Sequence, residues 1–304
     1  MIEVKSLSKR FGDLWALKNT TWSVQNGRSL GLLGPNGAGK STTMKIMTGL
    51  LCASEGEVLI DGEKIMTHPT LAKKKIGYLS EAPPLYDELK VYDFLNFICG
   101  LKSVQKKQRA GQIHMVIDKL KLQEVAFRQI SNLSKGFRQR VGIAQALLGD
   151  PRILILDEPS VGLDPHQVFE LRNIIKGLKS DHIIVLSTHI LSEVQQICDD
   201  VVILDRGEVK TQGPLSEILK QGSGQQMIII HLSEYKEGLE ALLQKLPEVA
   251  RLELKDKTLN LWLSNDQVPD LNVYINAIMA HGCGIRSIEQ KQQHLEDVFI
   301  EVTR

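Results

Sequence analysis

Long uncharged apolar runs are missing from this chain: none approaches the ~20 residues that a helix needs to cross a bilayer. No membrane-spanning helix is expected, and the chain should be soluble alone. Cysteine is sparse as well. Cys52, Cys99, Cys198 and Cys283 lie far apart and form no C-x-x-C pair, which argues against a disulfide framework or a zinc site and suits a reducing compartment. An excess of either charge is also lacking. Thirty-seven Lys and Arg face 36 Asp and Glu, so there is no bulk electrostatic reason to expect nucleic acid or anionic lipid as the main partner. Basic runs such as Lys73-Lys74-Lys75 read as solvated faces. The first residues, Met1-Ile2-Glu3-Val4-Lys5, carry an early acidic group and no apolar core, unlike a secretory signal.

What is present is length for two domains, since 304 residues exceed the ~100–200 of a typical one. Short apolar runs recur at 30–33, 76–79, 153–156, 183–186 and 201–204. Continuous apolarity suits strands buried on both faces. Between the last three lie helical stripes, Val168, Leu171, Ile175 and Leu178, then Leu191, Val194 and Ile197. Strands alternating with helices predict a parallel α/β sheet. Residues 1–29 and 56–62 suggest a small antiparallel sheet, and 88–148 are mostly helical in pattern.

At Gly222-Ser223-Gly224 the pattern changes, which divides the chain into domains 1–221 and 222–304. The second reads as strand 225–232, helix 236–246 with Leu239, Leu242, Leu243 and Leu246 on one face, and strands 250–255 and 258–264 joined by a turn at Lys255-Asp256-Lys257. Helix 268–281 and strand 283–290 complete a βαββαβ, split ferredoxin-like order.

Residues 34 to 41, Gly34-Pro35-Asn36-Gly37-Ala38-Gly39-Lys40-Ser41, fit G-x-x-x-x-G-K-[ST] directly after the run Leu30-Gly31-Leu32-Leu33. Gly37 and Gly39 can take conformations barred to other residues, so successive N–H groups can turn inward around a phosphate. The helix starting near Lys40 offers further N–H groups and a positive dipole end to the anion. Lys40 can reach the β- and γ-phosphates, and Ser41 can ligate Mg²⁺. This is a nucleoside triphosphate site. A phosphate loop also needs a carboxylate for Mg²⁺, and the run 153–156 ends in Asp157-Glu158. Asp157 is the metal candidate; Glu158 can hold the attacking water as general base.

Around these residues stand Leu133-Ser134-Lys135-Gly136-Phe137 upstream, and Ser160-Val161-Gly162-Leu163-Asp164 and Ser187-Thr188-His189 downstream. Taken in order, the set resembles the ATP-binding cassette family over residues 1 to about 220. The resemblance implies a P-loop NTPase cassette: a parallel core sheet, a small antiparallel subdomain and a helical subdomain, followed by the smaller α+β domain. It implies ATP held by Phe11, Gly34, Asn36, Gly37, Gly39, Lys40, Ser41 and Thr42, with the Phe11 ring on adenine, a contact worth ~1–3 kcal/mol in comparable base stacking. Ser41, Asp157 and Glu81 are the metal set, Glu158 and His189 the catalytic pair, with His189 touching the γ-phosphate. Ser134, Lys135 and Gly136 form a signature that covers the ATP of a second cassette, and Asp164 joins the two sites across the dimer.

Two positions depart from the family pattern. The usual signature is LSGGQ, whereas Lys135 replaces its first glycine and Phe137 its glutamine; Lys135 either adds positive charge near the partner's phosphates or faces solvent. Glu81 stands where a glutamine is common, and a carboxylate can still ligate magnesium. Residues 82–101 either dock a helix of a membrane subunit or form the core of the helical subdomain.

The tail 294–301 is similar to the branch that works with separate permeases of the ABC-2 exporter type. The expectation is the ATP-hydrolysing subunit of an exporter, a homodimer that couples ATP and Mg²⁺ to an integral membrane permease at the cytoplasmic face of the cell membrane. The rival is a soluble cassette ATPase acting on ribosomes or DNA. Such chains carry two cassettes or long coiled coils, neither of which is here, and the near-neutral charge predicts no nucleic-acid partner. The C-terminal domain is either a small-ligand sensor or, the favoured reading, a packing or dimer-stabilising module.

Overall fold

Strands that are apolar without alternation must be covered on both faces. Ser29–Leu33, Ile153–Asp157 and Ile183–Thr188 are buried at every residue. In the computed structural model they are the centre of a six-stranded sheet ordered Glu208–Pro214, Asp200–Asp205, Ser29–Leu33, Ile183–Thr188, Ile153–Asp157, Ile76–Leu79. Five strands run parallel, and Glu208–Pro214 closes the edge as an antiparallel hairpin with Asp200–Asp205. The structure describes residues 1–221, 226–246, 249–263, 270–291 and 295–303. No helix among them is long and apolar enough to cross a membrane, and Cys52, Cys99, Cys198 and Cys283 are all free thiols.

Contacts divide the chain into Met1–Leu215 and Ser216–Val302; the punctuation at 222–224 lies outside the described residues. In the first unit a second, antiparallel sheet joins Leu14–Val24, Ile2–Phe11, Glu55–Ile60 and Glu63–Lys64. One core fuses the two sheets: Ile2, Val4 and Trp22 from the antiparallel sheet pack with Leu30, Leu32, Ile155 and Val185 from the parallel one. Each such Leu or Ile is worth ~1.5–3 kcal/mol when fully buried, as an upper figure. The helical stretch contains Val91–Leu101, Lys106–Lys119 and Lys135–Leu147.

The register brings the strand ends together. Leu33 lies opposite Thr188, Asp157 opposite Ser187, and Leu79 opposite Leu156. The segments that follow these four strands therefore leave the same carboxyl-terminal edge of the sheet, where parallel α/β sheets bind ligands.

The second unit is a four-stranded antiparallel sheet ordered Val249–Lys255, Thr258–Leu263, Gln226–Glu234, Gly284–Lys291. With helices Leu239–Leu243 and Leu271–Ala280 the chain order is βαββαβ. Residue 225 of the expected strand 225–232, residue 264 of strand 258–264, residues 268–269 of helix 268–281 and the tail residue His294 fall outside the described residues; a helix Leu295–Val302 follows. The first helix is shorter than the expected 236–246. It starts after Gly238 at φ 93° and spans little more than one turn, so Leu239 and Leu243 point into the core while Leu242 is exposed.

Candidate functional site

At the end of Ser29–Leu33 the chain turns through Gly37 at φ 81° and Gly39 at φ 107°. A Cβ on Gly39 would lie 2.7 Å from the Ala16 carbonyl oxygen, so both backbone angle and space demand glycine there. The helix Lys40–Met47 begins at once. Lys40 is buried, and its Nζ donates to the carbonyls of Gly34 (2.8 Å) and Pro35 (3.3 Å) and lies 3.6 Å from Glu158 Oε1.

Glu158 sits just past its strand in the left-handed region, φ 47°, a conformation a bulky side chain adopts only when its surroundings hold it. Ser187 does so: the Glu158 N–H donates to both the Ser187 hydroxyl (3.0 Å) and its carbonyl (3.1 Å). The Ser187 hydroxyl in turn donates to Asp157 Oδ1 at 2.5 Å. His189 donates through Nδ1 to Glu158 Oε2 at 2.8 Å. The turn carrying His189 is fixed by Thr188, whose hydroxyl donates to buried Glu193 (2.9 Å) and accepts from the Ile190 N–H (3.0 Å).

Lys40, Glu158 and His189 line one cleft of about 350 Å³ with Asn36, Gly37, Gly39, Ser41, Thr42 and Glu81 on its walls. Burial, with the negative charges of nearby Asp157 and Glu81 adding to it, pushes the Tyr78 phenol up to about 12. Glu81 and Glu158 share the cleft with the single ammonium of Lys40, and Asp157 reaches it through Ser41, a surplus of hard oxygen donors that suits a cation. The Ser41 hydroxyl donates to Asp157 Oδ1 at 3.3 Å. Two oxygens bound side by side on octahedral magnesium at ~2.1 Å lie ~3.0 Å apart, so this pair fits such an ion. No group of three or more His, Cys, Asp or Glu among the described residues could hold a metal unaided; phosphate oxygens would have to supply the remaining ligands.

Phe11 stands outside that lining. It ends the first strand, about half exposed, with Lys9 Nζ 5.0 Å from its ring centroid. The signature residues lie apart too. Ser134 caps the helix Lys135–Leu147 by accepting from the Phe137 N–H at 3.4 Å. Asp164 caps Pro165–Leu178 by accepting from Gln167 N–H at 2.9 Å. Ser134, Gly136 and Asp164 line a second cleft of about 710 Å³, with Lys121, Arg140 and His166. It shares no residue with the first. Lys135 lines neither; its ammonium lies over Gly162, at φ 69°, where any Cβ would strike it. Ser187, Glu193 and Tyr78 were not singled out from sequence. Ser187 adjoins His189, but nothing in the pattern marked the other two.

A phosphate loop and an Asp-Glu pair at the ends of two parallel strands that flank a third, whose end carries the histidine-bearing turn, define a P-loop nucleoside triphosphatase. The ABC transporter family pattern matches residues 17–161. The chain is similar to the ABC transporter ATP-binding protein YxlF of Bacillus subtilis, 35% identical over 99% of both chains, and to the linearmycin resistance ATP-binding protein LnrL of the same organism, 30% identical over 100% of this chain and 98% of the relative. It also resembles the dimeric post-hydrolysis structure of the ATP-binding cassette MJ0796 bound to ADP and Pi: 26% identity, TM-score 0.64, covering 71% of this chain and 99% of that one. The protein belongs to the ATP-binding subunits of ABC transporters, and its cassette is an ATPase.

Proposed function

We propose that two copies of this chain sandwich two ATP molecules at the cytoplasmic face of the membrane and drive export through a separate permease of the ABC-2 type. The observation that carries this reading is the separation of the two clefts. Within one chain the signature helix start does not reach the phosphate loop, so Ser134 and Gly136 have a partner only if they meet the nucleotide of another cassette.

In the assembled site Lys40 releases the Gly34 and Pro35 carbonyls for the β- and γ-phosphates, and the loop N–H groups hold the phosphate chain. Magnesium, when bound at Ser41 and Asp157, with Glu81 beside them, supplies a positive charge to the transferring phosphoryl group. Glu158 orients the attacking water and accepts its proton; His189, tied to Glu158, holds that carboxylate and contacts the γ-phosphate. Phe11 stacks on adenine. Asp164, a helix cap on the rim of the signature cleft, reports between the sites. The resistance role in the name of LnrL supports export; the exported compound is contacted by the membrane subunit.

Glu158→Gln tests the reading. It should retain ATP binding, lose turnover by about 10²- to 10⁴-fold, the usual worth of a general base, and accumulate as an ATP-dependent dimer in light scattering. A variant that turns over normally removes Glu158 from the role of base. One that stays monomeric at saturating ATP, alone and with its permease, removes the sandwich.

A further inference from the structure

Asp157 and Glu158 are neighbours in the chain with different tasks, metal ligand and base, and one buried hydroxyl is bonded to both. Ser187 is fully buried in the strand Ile183–Thr188, paired with Asp157. Side chains paired across parallel strands point to the same face, so the register itself brings this hydroxyl to the Asp157 carboxylate. The Glu158 N–H lies 3.0 Å from Ser187 Oγ, and an N–H can only donate. The single proton of the hydroxyl is therefore left for Asp157 Oδ1, 2.5 Å away. The result is a directed chain from the Glu158 N–H through the Ser187 O–H to the Asp157 carboxylate.

Both ends need that support. Glu158 stands at φ 47°, an angle that persists only where the surroundings over-determine it. Its N–H has a second acceptor in the Ser187 carbonyl at 3.1 Å, which a change of side chain leaves in place. Asp157 Oδ1 accepts also from Ser41, at 3.3 Å. Ser41 is itself a metal candidate, so once its oxygen turns to magnesium Ser187 is the hydroxyl that still orients the carboxylate.

We infer that Ser187 is a positioning residue that ties the metal carboxylate to the base, so that magnesium affinity and turnover depend on one hydroxyl. The inference rests on reading the cleft as a magnesium–ATP site with Glu158 as base. Losing a hydrogen-bond partner behind a metal carboxylate commonly lowers metal affinity or activity about tenfold or more.

The test uses the full chain. Ser187→Ala removes the hydroxyl and keeps the strand backbone. In a Mg²⁺ titration of a fluorescent non-hydrolysable ATP analogue it should raise the Mg²⁺ concentration at half-saturation about tenfold. Magnesium-free binding should stay unchanged, a split that loss of packing alone would not give. At saturating Mg²⁺ its kcat should fall about tenfold. Added to Glu158→Gln, it should cost no further turnover, as expected of groups that act as a unit, while still shifting half-saturation. Should Ser187→Ala fail to fold by thermal melt, Ser187→Cys, which keeps the side-chain shape and weakens the donor, takes its place with the same directions expected. An unchanged half-saturation or an unchanged kcat overturns the inference, as does multiplication of the losses in the double variant. A wild-type chain whose binding ignores magnesium overturns the magnesium–ATP reading itself, and a fully active Glu158→Gln overturns the base; either takes this inference with it.

Discussion

At the phosphate-loop cleft, Lys40, Glu158 and His189 are bonded to one another or to nearby backbone, and Asp157 accepts from the Ser187 and Ser41 hydroxyls. Around Ser134 the picture is different. The Ser134 hydroxyl accepts a single long bond at 3.4 Å, and Lys135 has no hydrogen bond or ion pair among the described residues. Ser160, in the segment that runs from Glu158 to Asp164, is buried with its hydroxyl unpartnered. Ser134 and Lys135 are exposed, and of the three only Ser160 is a buried group without a partner, where nearly all buried polar groups are satisfied. One cleft is held together by its own chain; the other, on the function proposed above, is left for a neighbour.

The largest effect should come from splitting the two clefts between different chains. Lys40→Ala disables the first and Ser134→Arg the second, and each variant alone should lose nearly all ATPase activity. Mixed in equal amounts they should recover about a quarter of the wild-type rate, because half the dimers are mixed and each of those keeps one intact composite site of two. Ser134→Arg should still bind ATP as a monomer with ordinary affinity. No recovery on mixing would mean that both clefts serve the same nucleotide within one chain.

A smaller effect is expected at Lys135, where sequence left the charge either near the partner's phosphates or in solvent. The ammonium instead lies over Gly162 in its own chain, close to the segment that ends at Asp164. Lys135→Gly restores the common family residue and should change ATPase activity by only a few-fold, about 1 kcal/mol or less for an exposed charge. It should also flatten the salt dependence of ATP-driven dimerisation. A loss as large as that of Ser134→Arg would place the charge on the phosphates.

How much of this could be read in advance follows from whether the cause is local. The phosphate loop was legible because Gly37 and Gly39 meet a backbone need that only glycine serves, and the parallel sheet because buried strands show unbroken apolar runs. Asp157 and Glu158 followed from the strand end. Ser187 was not legible as the partner of Asp157 and Glu158, since those bonds are set by strand register, and Glu193 was not, since its bond to Thr188 is made by the turn from strand to helix. Leu242 leaves the expected stripe because Gly238 delays the start of a short helix: Leu239 and Leu243 are buried in the core, Leu246 packs against it, and Leu242 is exposed.

The smallest predicted effect separates the clefts by pH. Lys102 reaches the far end of the signature helix, its ammonium donating to the carbonyls of Ala146 (2.8 Å) and Leu148 (2.7 Å). A cation there complements the negative end of the helix, yet desolvation of the ammonium pulls its pKa from 10.5 down to about 8. With the folded value the lower, the unfolded chain holds more protons between about pH 8 and 10.5. The Lys102 contribution therefore becomes more favourable as pH rises through that window, and below it the full cost of holding the charge is present. Part of the side chain is exposed, which keeps the effect small. The melting temperature of wild type relative to Lys102→Met should rise by about 2 °C from pH 7.5 to 10, while ATP affinity, set in the other cleft, stays the same in both. A flat difference across that range would mean that the ammonium is fully hydrated and that the helix end owes nothing to burial of its charge.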